Sequence, residues 1–311
     1  MKLQLSRLDA LLVLMTVIWA GNYSIIKGAL GEIPPVAFNA IRLTVASALF
    51  LVAIEGSRVA AGESKHDSRP LTRRDWTGIV ALALVGQFLY QVLFISGLAR
   101  TSVANSSLLI GCTPIFVALL TAALGQERIT PVRWAGAVLS LVGIYLVVGY
   151  RNHDASMSRA SLGGDLMMLA AVLCWSLATV GSRPLLERHS PLVVTGYSMA
   201  IGSALYVPFA WPELRDLGWR TVSAGAWLAV GFSAVFALCV AYMIWYTAVQ
   251  RLGNTRTSVY SNMVPIAAML IARLWLGEHI GPLKVAGAAA IILGVALTKV
   301  QFDGRSAAEP A

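Results

Sequence analysis

Long stretches without charged residues dominate the pattern of this chain. No Asp, Glu, Lys or Arg occurs in residues 76–99, 101–126 or 221–250. Each of these runs exceeds the ~20 residues that a helix needs to cross a bilayer. Backbone polar groups in lipid must be paired, and the runs lack the alternating polarity of a membrane β-barrel. The pattern therefore predicts transmembrane helices.

The same pattern along the whole chain predicts ten membrane-spanning helices. The predicted ranges are 8–29, 35–55, 76–98, 102–124, 131–150, 163–183, 192–212, 222–248, 254–276 and 282–300. The composition agrees, because 57% of the residues are hydrophobic and 13% are charged, whereas a soluble domain has about 25% charged residues. The predicted fold class is an all-α integral membrane protein.

An internal duplication divides the chain into two halves. Residues 97–146 recur 151 positions later, and nearer the start of each half the offset is 156. The matched positions include Trp19 and Trp175, Asp9 and Asp165, Pro114 and Pro265, Glu127 and Glu278, and Gly143 and Gly294. A period this long indicates a duplicated half rather than a solenoid repeat. We predict a first five-helix repeat at 1–150, a linker at 151–162 and a second repeat at 163–311.

The odd number of helices in each repeat has a topological consequence. Five crossings reverse the second half in the bilayer, which predicts two inverted repeats, as in many secondary transporters. With the N-terminus inside the cell, fifteen of the 24 Lys and Arg residues lie in cytoplasmic segments and eight lie outside. The positive-inside rule therefore places both termini in the cytoplasm.

Polar and aromatic residues share faces at helical spacing in corresponding helices of both halves. Such side chains are disfavoured against lipid, so they line a cavity or form hydrogen bonds between helices. Their recurrence in both halves favours a cavity. The candidate substrate-binding residues are Trp19, Asn22, Tyr23, Gln87, Tyr90, Gln91, Asn105, Trp175, Thr179, Tyr242, Tyr246 and Asn262.

Two prolines fall near the middle of matching predicted helices. Pro114 and Pro265 each remove a backbone hydrogen bond, which predicts a kink that frees carbonyl groups near a cavity. Paired interruptions in corresponding helices are typical of transporter sites. A simple packing kink is the alternative.

The charged residues argue against several other chemistries. The carboxylates lie in loops or near helix ends, which argues against a carboxylate proton relay and against tight recognition of cations. Arg42 lies within the second predicted helix, where we expect it to pair with helix-end carbonyls rather than to attract an anion. No basic stripe with interleaved aromatics is present, so nucleic-acid binding is not expected.

Metal, cofactor and enzyme motifs are absent from the sequence. All four histidines lie in predicted loops, and the three cysteines are isolated within predicted helices. No HExxH, GxSxG or P-loop pattern occurs. We expect no metal, no cofactor and no catalytic residues.

The motifs of both halves resemble the EamA family of the drug/metabolite transporter superfamily. The resemblance lies in residues 19–23 (Trp-Ala-Gly-Asn-Tyr) with Lys27, Pro34-Pro35 and Arg42, and in segments 114–143 and 265–294, each with a Glu and then a Pro. It implies a ten-helix carrier of inverted repeats that exports metabolites from the bacterial cytoplasm. The overall pattern is most similar to YddG-type aromatic amino acid exporters.

Together these features predict an inner-membrane exporter that works by alternating access. The expected substrates are aromatic and other neutral amino acids, and the expected partners are this small-molecule substrate and the lipid bilayer. Another small metabolite or a drug as the substrate, or a passive channel, remain alternatives. The oligomeric state stays open, a monomer included.

Overall fold

The computed structural model describes residues 7–61, 70–124, 131–148, 159–261, 263–277 and 280–299. These residues form helices and no strands. In chain order the helices are α1 (Arg7–Ala29), α2 (Pro35–Ala61), α3 (Arg73–Arg100), α4 (Val103–Ala123), α5 (Pro131–Val148), α6 (Arg159–Leu186), α7 (Pro191–Asp216), α8 (Ala224–Leu252), α9 (Asn254–Ser261), α10 (Met263–Leu276) and α11 (Pro282–Lys299). Each of the ten predicted ranges therefore contains helix.

Seven of the described helices are long and apolar enough to cross a membrane, namely α1, α2, α3, α4, α6, α7 and α8. Large apolar side chains stand exposed on the outside of the bundle, among them Val52, Leu228 and Leu274. In water these side chains would lose roughly 1.5–3 kcal/mol each relative to burial. Their exposure fits a bundle that is surrounded by lipid, and the all-α membrane fold class is confirmed.

Helix starts are set by short polar side chains. Thr72 and Asp75 form a reciprocal capping box at the start of α3, which satisfies two backbone donors that the helix leaves free. A serine hydroxyl accepts a backbone N–H at the starts of three other helices: Ser102 at α4, Ser190 at α7 and Ser223 at α8. These caps define the first residues of helices whose boundaries the hydropathy pattern alone does not fix.

The loop between α1 and α2 is tied to the start of α8. Glu32 accepts hydrogen bonds from the backbone N–H of Ser223 at 2.7 Å and from its hydroxyl at 2.8 Å. The backbone hydrogen bond, followed by that from the hydroxyl, holds the pKa of the Glu32 carboxyl below its usual range. The contact joins the two halves of the chain at one end of the bundle.

Helix contacts follow the internal duplication. Helices α2 and α7 pack together, as do α5 and α11. Helix α1 packs against α8 and α10, while its counterpart α6 packs against α3 and α4. Helix α3 packs against α7, and its counterpart α8 packs against α2.

A π-helical segment interrupts α3 and another interrupts α8. The first covers Ala83–Leu89 and the second Ser233–Val240. With the offset of 151 residues, the first segment maps onto residues 234–240 of the second. Such segments have i→i+5 hydrogen bonds and occur frequently at functional sites. The matching positions make them a shared feature of both halves.

Candidate functional site

A cavity lies inside the bundle, between the two halves. Its described lining residues are Trp19, Asn22 and Tyr23 of α1, Arg42 of α2, Tyr90, Gln91 and Phe94 of α3, Ile110 and Thr113 of α4, Trp175 of α6, Ala237, Leu238 and Tyr242 of α8, Ser261 of α9 and Val264 of α10. A single chamber therefore receives side chains from most helices of both halves.

The structure brings most of the sequence-predicted site residues together at this cavity. Those that line it are Trp19, Asn22, Tyr23, Tyr90, Gln91, Trp175 and Tyr242. Tyr246 lies in the next layer, with its ring centroid 6.2 Å from that of Tyr242 and 6.3 Å from that of Trp175. The predicted aromatic wall thus exists as a contiguous cluster.

The aromatic rings pack in edge-to-face and tilted arrangements. Trp19 and Trp175 have ring centroids 5.9 Å apart with an interplanar angle of 85°, and Trp19 and Tyr242 are 6.2 Å apart at 90°. Tyr90 lies 5.1 Å from Trp175. Such pairs contribute about 0.5–1.5 kcal/mol beyond area burial. The cluster forms a firm apolar wall that suits a flat or bulky apolar group.

Hydrogen bonds hold the polar part of the wall. Gln91 donates from Nε2 to the Tyr242 hydroxyl at 3.2 Å, and its Oε1 accepts from Arg42 Nη2 at 3.0 Å. The indole N–H of Trp19 donates to the carbonyl of Ala237, within the second π-helical segment, at 3.0 Å. The π-helical backbone therefore orients a ring that lines the cavity.

Repeat-equivalent positions meet across the cavity. Trp19 and Trp175 are equivalent at the offset of 156 residues, and their rings touch. Gln91 and Tyr242 are equivalent at the offset of 151 residues, and they share a hydrogen bond. Two further equivalent pairs line the cavity, Ile110 with Ser261 and Thr113 with Val264. The cavity is therefore built from corresponding positions of both halves.

Three of the predicted site residues lie elsewhere. Gln87 is buried in the first π-helical segment and packs against Gly202 of α7. Asn105 donates to the Asp165 carboxylate at 3.3 Å, beside a 2.6 Å hydrogen bond from Thr101 to the same group. Thr179 is buried outside the cavity lining. The fourth, Asn262, lies outside the described residues.

The helix containing Pro114 is interrupted next to the cavity. Helix α4 consists of Val103–Ile110 and Thr113–Ala123, separated by a turn at Gly111 and Cys112. Pro114 stands in the first turn of the second segment, where its missing N–H removes no helical hydrogen bond, so the prediction that it removes one is wrong. A β-carbon on Gly111 would lie 2.6 Å from Cγ of Pro265. The two proline regions therefore pack against each other.

Arg42 is the functional candidate that the sequence interpretation misjudged. Its guanidinium donates to side-chain oxygens of Asn39, Ser233 and Gln91 and lines the cavity. The expectation that it pairs with helix-end carbonyls is therefore wrong. The available signal was its position seven residues inside a predicted membrane helix, where a charge marks a functional site.

A match to a family model determines the protein family of this chain. The model of the EamA-like transporter family matches residues 7–149 and 162–300. The chain belongs to the EamA-like transporter family. This EamA protein is accordingly a multi-pass membrane transporter, with a small-molecule substrate and membrane lipid as its partners.

Relatives of this EamA protein extend over nearly the whole chain. It is 26% identical over 277 residues to the uncharacterized transporter YyaM of Bacillus subtilis, covering 88% of this chain and 87% of that protein. It is 28% identical over 303 residues to a probable terminal-alkyne amino-acid exporter of Streptantibioticus cattleyicolor, covering 97% of each. A crystal structure at 22% identity shares the fold, with a TM-score of 0.65 over 93% of this chain and 95% of the other.

Proposed function

We propose that this protein exports aromatic and other neutral amino acids by alternating access. In this proposal it lies in the bacterial inner membrane as ten helices in two inverted five-helix repeats. The cavity is the observation that carries the proposal, because aromatic rings and hydrogen-bonding groups from both halves line one chamber. A bulky neutral amino acid needs both kinds of surface.

The contacts between the halves support the inverted repeat. Equivalent helices make equivalent contacts, and the two π-helical segments occupy equivalent positions. The equivalent aspartates Asp9 and Asp165 each accept a hydrogen bond from another helix or its end, Asp9 from Tyr260 at 2.6 Å and Asp165 from Thr101 at 2.6 Å. If the second repeat is inverted, the contacts of Asp9 and Asp165 lie at opposite ends of the cavity. Breaking one contact while the other stays formed would then open the cavity to one side of the membrane only.

The choice of amino acids rests on the lining of the cavity. The described lining residues include six aromatic side chains, Phe94 among them. These rings can contact the apolar side chain of a bulky amino acid. Asn22 and Gln91 add carboxamide groups that suit the charged ends of an amino acid. The relative from Streptantibioticus cattleyicolor, described as a probable amino-acid exporter, agrees with this substrate class.

Counterflow in proteoliposomes tests the function. Vesicles that contain the purified protein and unlabelled phenylalanine are placed in a low concentration of radiolabelled phenylalanine. We expect transient accumulation of label above equilibrium, because a carrier exchanges internal for external substrate while a channel only equilibrates it. Alanine and threonine inside the vesicles are expected to drive less accumulation, since they fill the aromatic chamber poorly.

Vesicles without protein provide the control for leakage. Equilibration without overshoot would identify a passive channel instead of a carrier. Overshoot with another metabolite or drug, but with none of the amino acids, would support a carrier mechanism and refute the proposed amino-acid substrates. Absence of transport for every compound tried would contradict the exporter itself.

Cysteine labelling tests the proposed orientation. In a variant whose three native cysteines are replaced by alanine, one new cysteine replaces Glu187 or Arg220, two exposed loop residues on either side of α7. With cytoplasmic termini, Arg220→Cys faces outward and Glu187→Cys faces the cytoplasm. We expect a membrane-impermeant maleimide to label only Arg220→Cys on intact cells, and both variants after lysis. Labelling of Glu187→Cys alone on intact cells would reverse the topology.

A further inference from the structure

Arg42 places a positive charge inside the bundle, at the wall of the cavity. It is the eighth residue of α2, and only 2% of it is exposed. A guanidinium does not lose its proton in proteins, so this charge is permanent. Burying an ion away from water costs several kcal/mol unless another charge or strong hydrogen bonds compensate for it.

The hydrogen-bond partners of Arg42 are all neutral. Nε donates to Asn39 Oδ1 at 2.6 Å, Nη1 to Ser233 Oγ at 2.8 Å and Nη2 to Gln91 Oε1 at 3.0 Å. The rings of Phe38 and Phe94 lie 5.9 and 5.7 Å from its central carbon. Within the described parts of the chain, no carboxylate forms an ion pair with it. The contacts fix the group in place without neutralising it.

The guanidinium retains capacity for a ligand. It carries five N–H donors, and one from each nitrogen serves the three protein contacts. The donors that remain are suited to a carboxylate, which guanidinium binds with charge-assisted and often bidentate hydrogen bonds. A carboxylate in the cavity would supply the missing negative charge.

The rest of the described cavity lining contains no acidic residue. An ammonium group in the chamber therefore meets only neutral acceptors and aromatic faces. One such acceptor is Asn22 Oδ1, which is buried and has no hydrogen-bond partner among the described residues. Neutral contacts of this kind are weaker than an ion pair between guanidinium and carboxylate.

We propose that Arg42 binds the carboxylate of the substrate, and that the site selects aromatic carboxylic acids, with the amino group secondary. This inference rests on the proposed function and narrows its substrate class. Amino acids are then one subset of the ligands, and aromatic acids without an amino group are another. Aromatic amines without a carboxylate bind more weakly, because their only charge has the same sign as Arg42.

The test is equilibrium binding to the purified full-length protein by isothermal titration calorimetry at pH 7. The ligands are L-phenylalanine, 3-phenylpropionate, which lacks the amine, and 2-phenylethylamine, which lacks the carboxylate. We expect phenylalanine and 3-phenylpropionate to bind and to compete with each other. We expect 2-phenylethylamine to bind at least about tenfold more weakly than 3-phenylpropionate, since it has no carboxylate to accept the charge-assisted hydrogen bonds of Arg42.

Variants assign this preference to Arg42. Arg42→Gln should weaken both carboxylate ligands by about tenfold or more and leave the amine unchanged or improved. Arg42→Lys should recover part of the loss, because it keeps the charge but not the fork of donors. Arg58→Gln is the matched control, since Arg58 lies on the same helix but its side chain is 59% exposed. We expect that variant to bind like the parent.

The outcomes separate this proposal from the proposed function. Equal binding of all three ligands by the parent protein, a comparison that requires no variant, would refute carboxylate recognition and keep an aromatic substrate. A folded Arg42→Gln protein with unchanged preference would refute the role of Arg42. Absence of binding by all three ligands would refute the aromatic substrate class and this proposal together.

Discussion

Replacing Trp19 by alanine is expected to lower phenylalanine transport by about tenfold and alanine transport much less. Trp19 lines the cavity and packs against the rings of Trp175, Tyr242 and Trp245. Each aromatic contact contributes roughly 0.5–1.5 kcal/mol beyond burial, and 1.4 kcal/mol is a factor of about ten. The substitution also removes the hydrogen bond from the indole to the π-helical carbonyl of Ala237. A substrate with a large apolar body loses this wall, whereas alanine contacts little of it.

The measurement is the initial rate of counterflow with phenylalanine, threonine and alanine for the parent and for Trp19→Ala. Trp219→Ala is the matched control, because Trp219 is exposed in the loop between α7 and α8 and, among the described residues, stacks on Trp227 alone. Size-exclusion chromatography shows whether both variants are folded. An equal loss on all three substrates in a folded Trp19→Ala protein would remove the aromatic specificity.

Replacing Gly143 and Gly294 together by alanine is expected to destabilise the protein strongly. The two glycines are equivalent positions of α5 and α11, which pack together. A β-carbon on Gly143 would lie 2.8 Å from the carbonyl oxygen of Gly287, and one on Gly294 would lie 2.7 Å from the backbone nitrogen of Ser140. Real β-carbons do not approach backbone this closely, so the helices must separate. Overpacking of this kind costs about 1–3 kcal/mol at each site.

Gly231→Ala is a control for which the opposite change in stability is expected. Gly231 lies within α8, and a β-carbon there would have no atom within 4 Å. Alanine favours a helix over glycine by about 1 kcal/mol, so this variant should be as stable as the parent or more stable. The temperature at which half of the solubilised protein aggregates measures the effect. An unchanged temperature for the Gly143→Ala, Gly294→Ala double variant would contradict the close packing of α5 against α11.

The sequence alone determined the membrane class and seven of the fifteen described residues that line the cavity. Charge-free runs place helices because lipid admits no unpaired backbone, which is a local requirement that each segment meets by itself. The shared polar and aromatic faces located Trp19, Tyr90, Gln91, Trp175 and Tyr242 because polar groups turn away from lipid. Both signals depend on the solvent around a helix and need no knowledge of its neighbours.

The tertiary structure alone decided the position of Gln87 and the contacts of Arg42. The spacing of Gln87 and Gln91 put both on one face at 3.6 residues per turn, but Gln87 lies in the π-helical segment, whose i→i+5 hydrogen bonds shift the helix phase. It therefore faces α7, while Gln91 faces the cavity. Arg42 lies beside Gln91 and Ser233 although they are 49 and 191 residues away. Periodicity shows which face of a helix is polar, but only the packing of helices determines which residues that face meets.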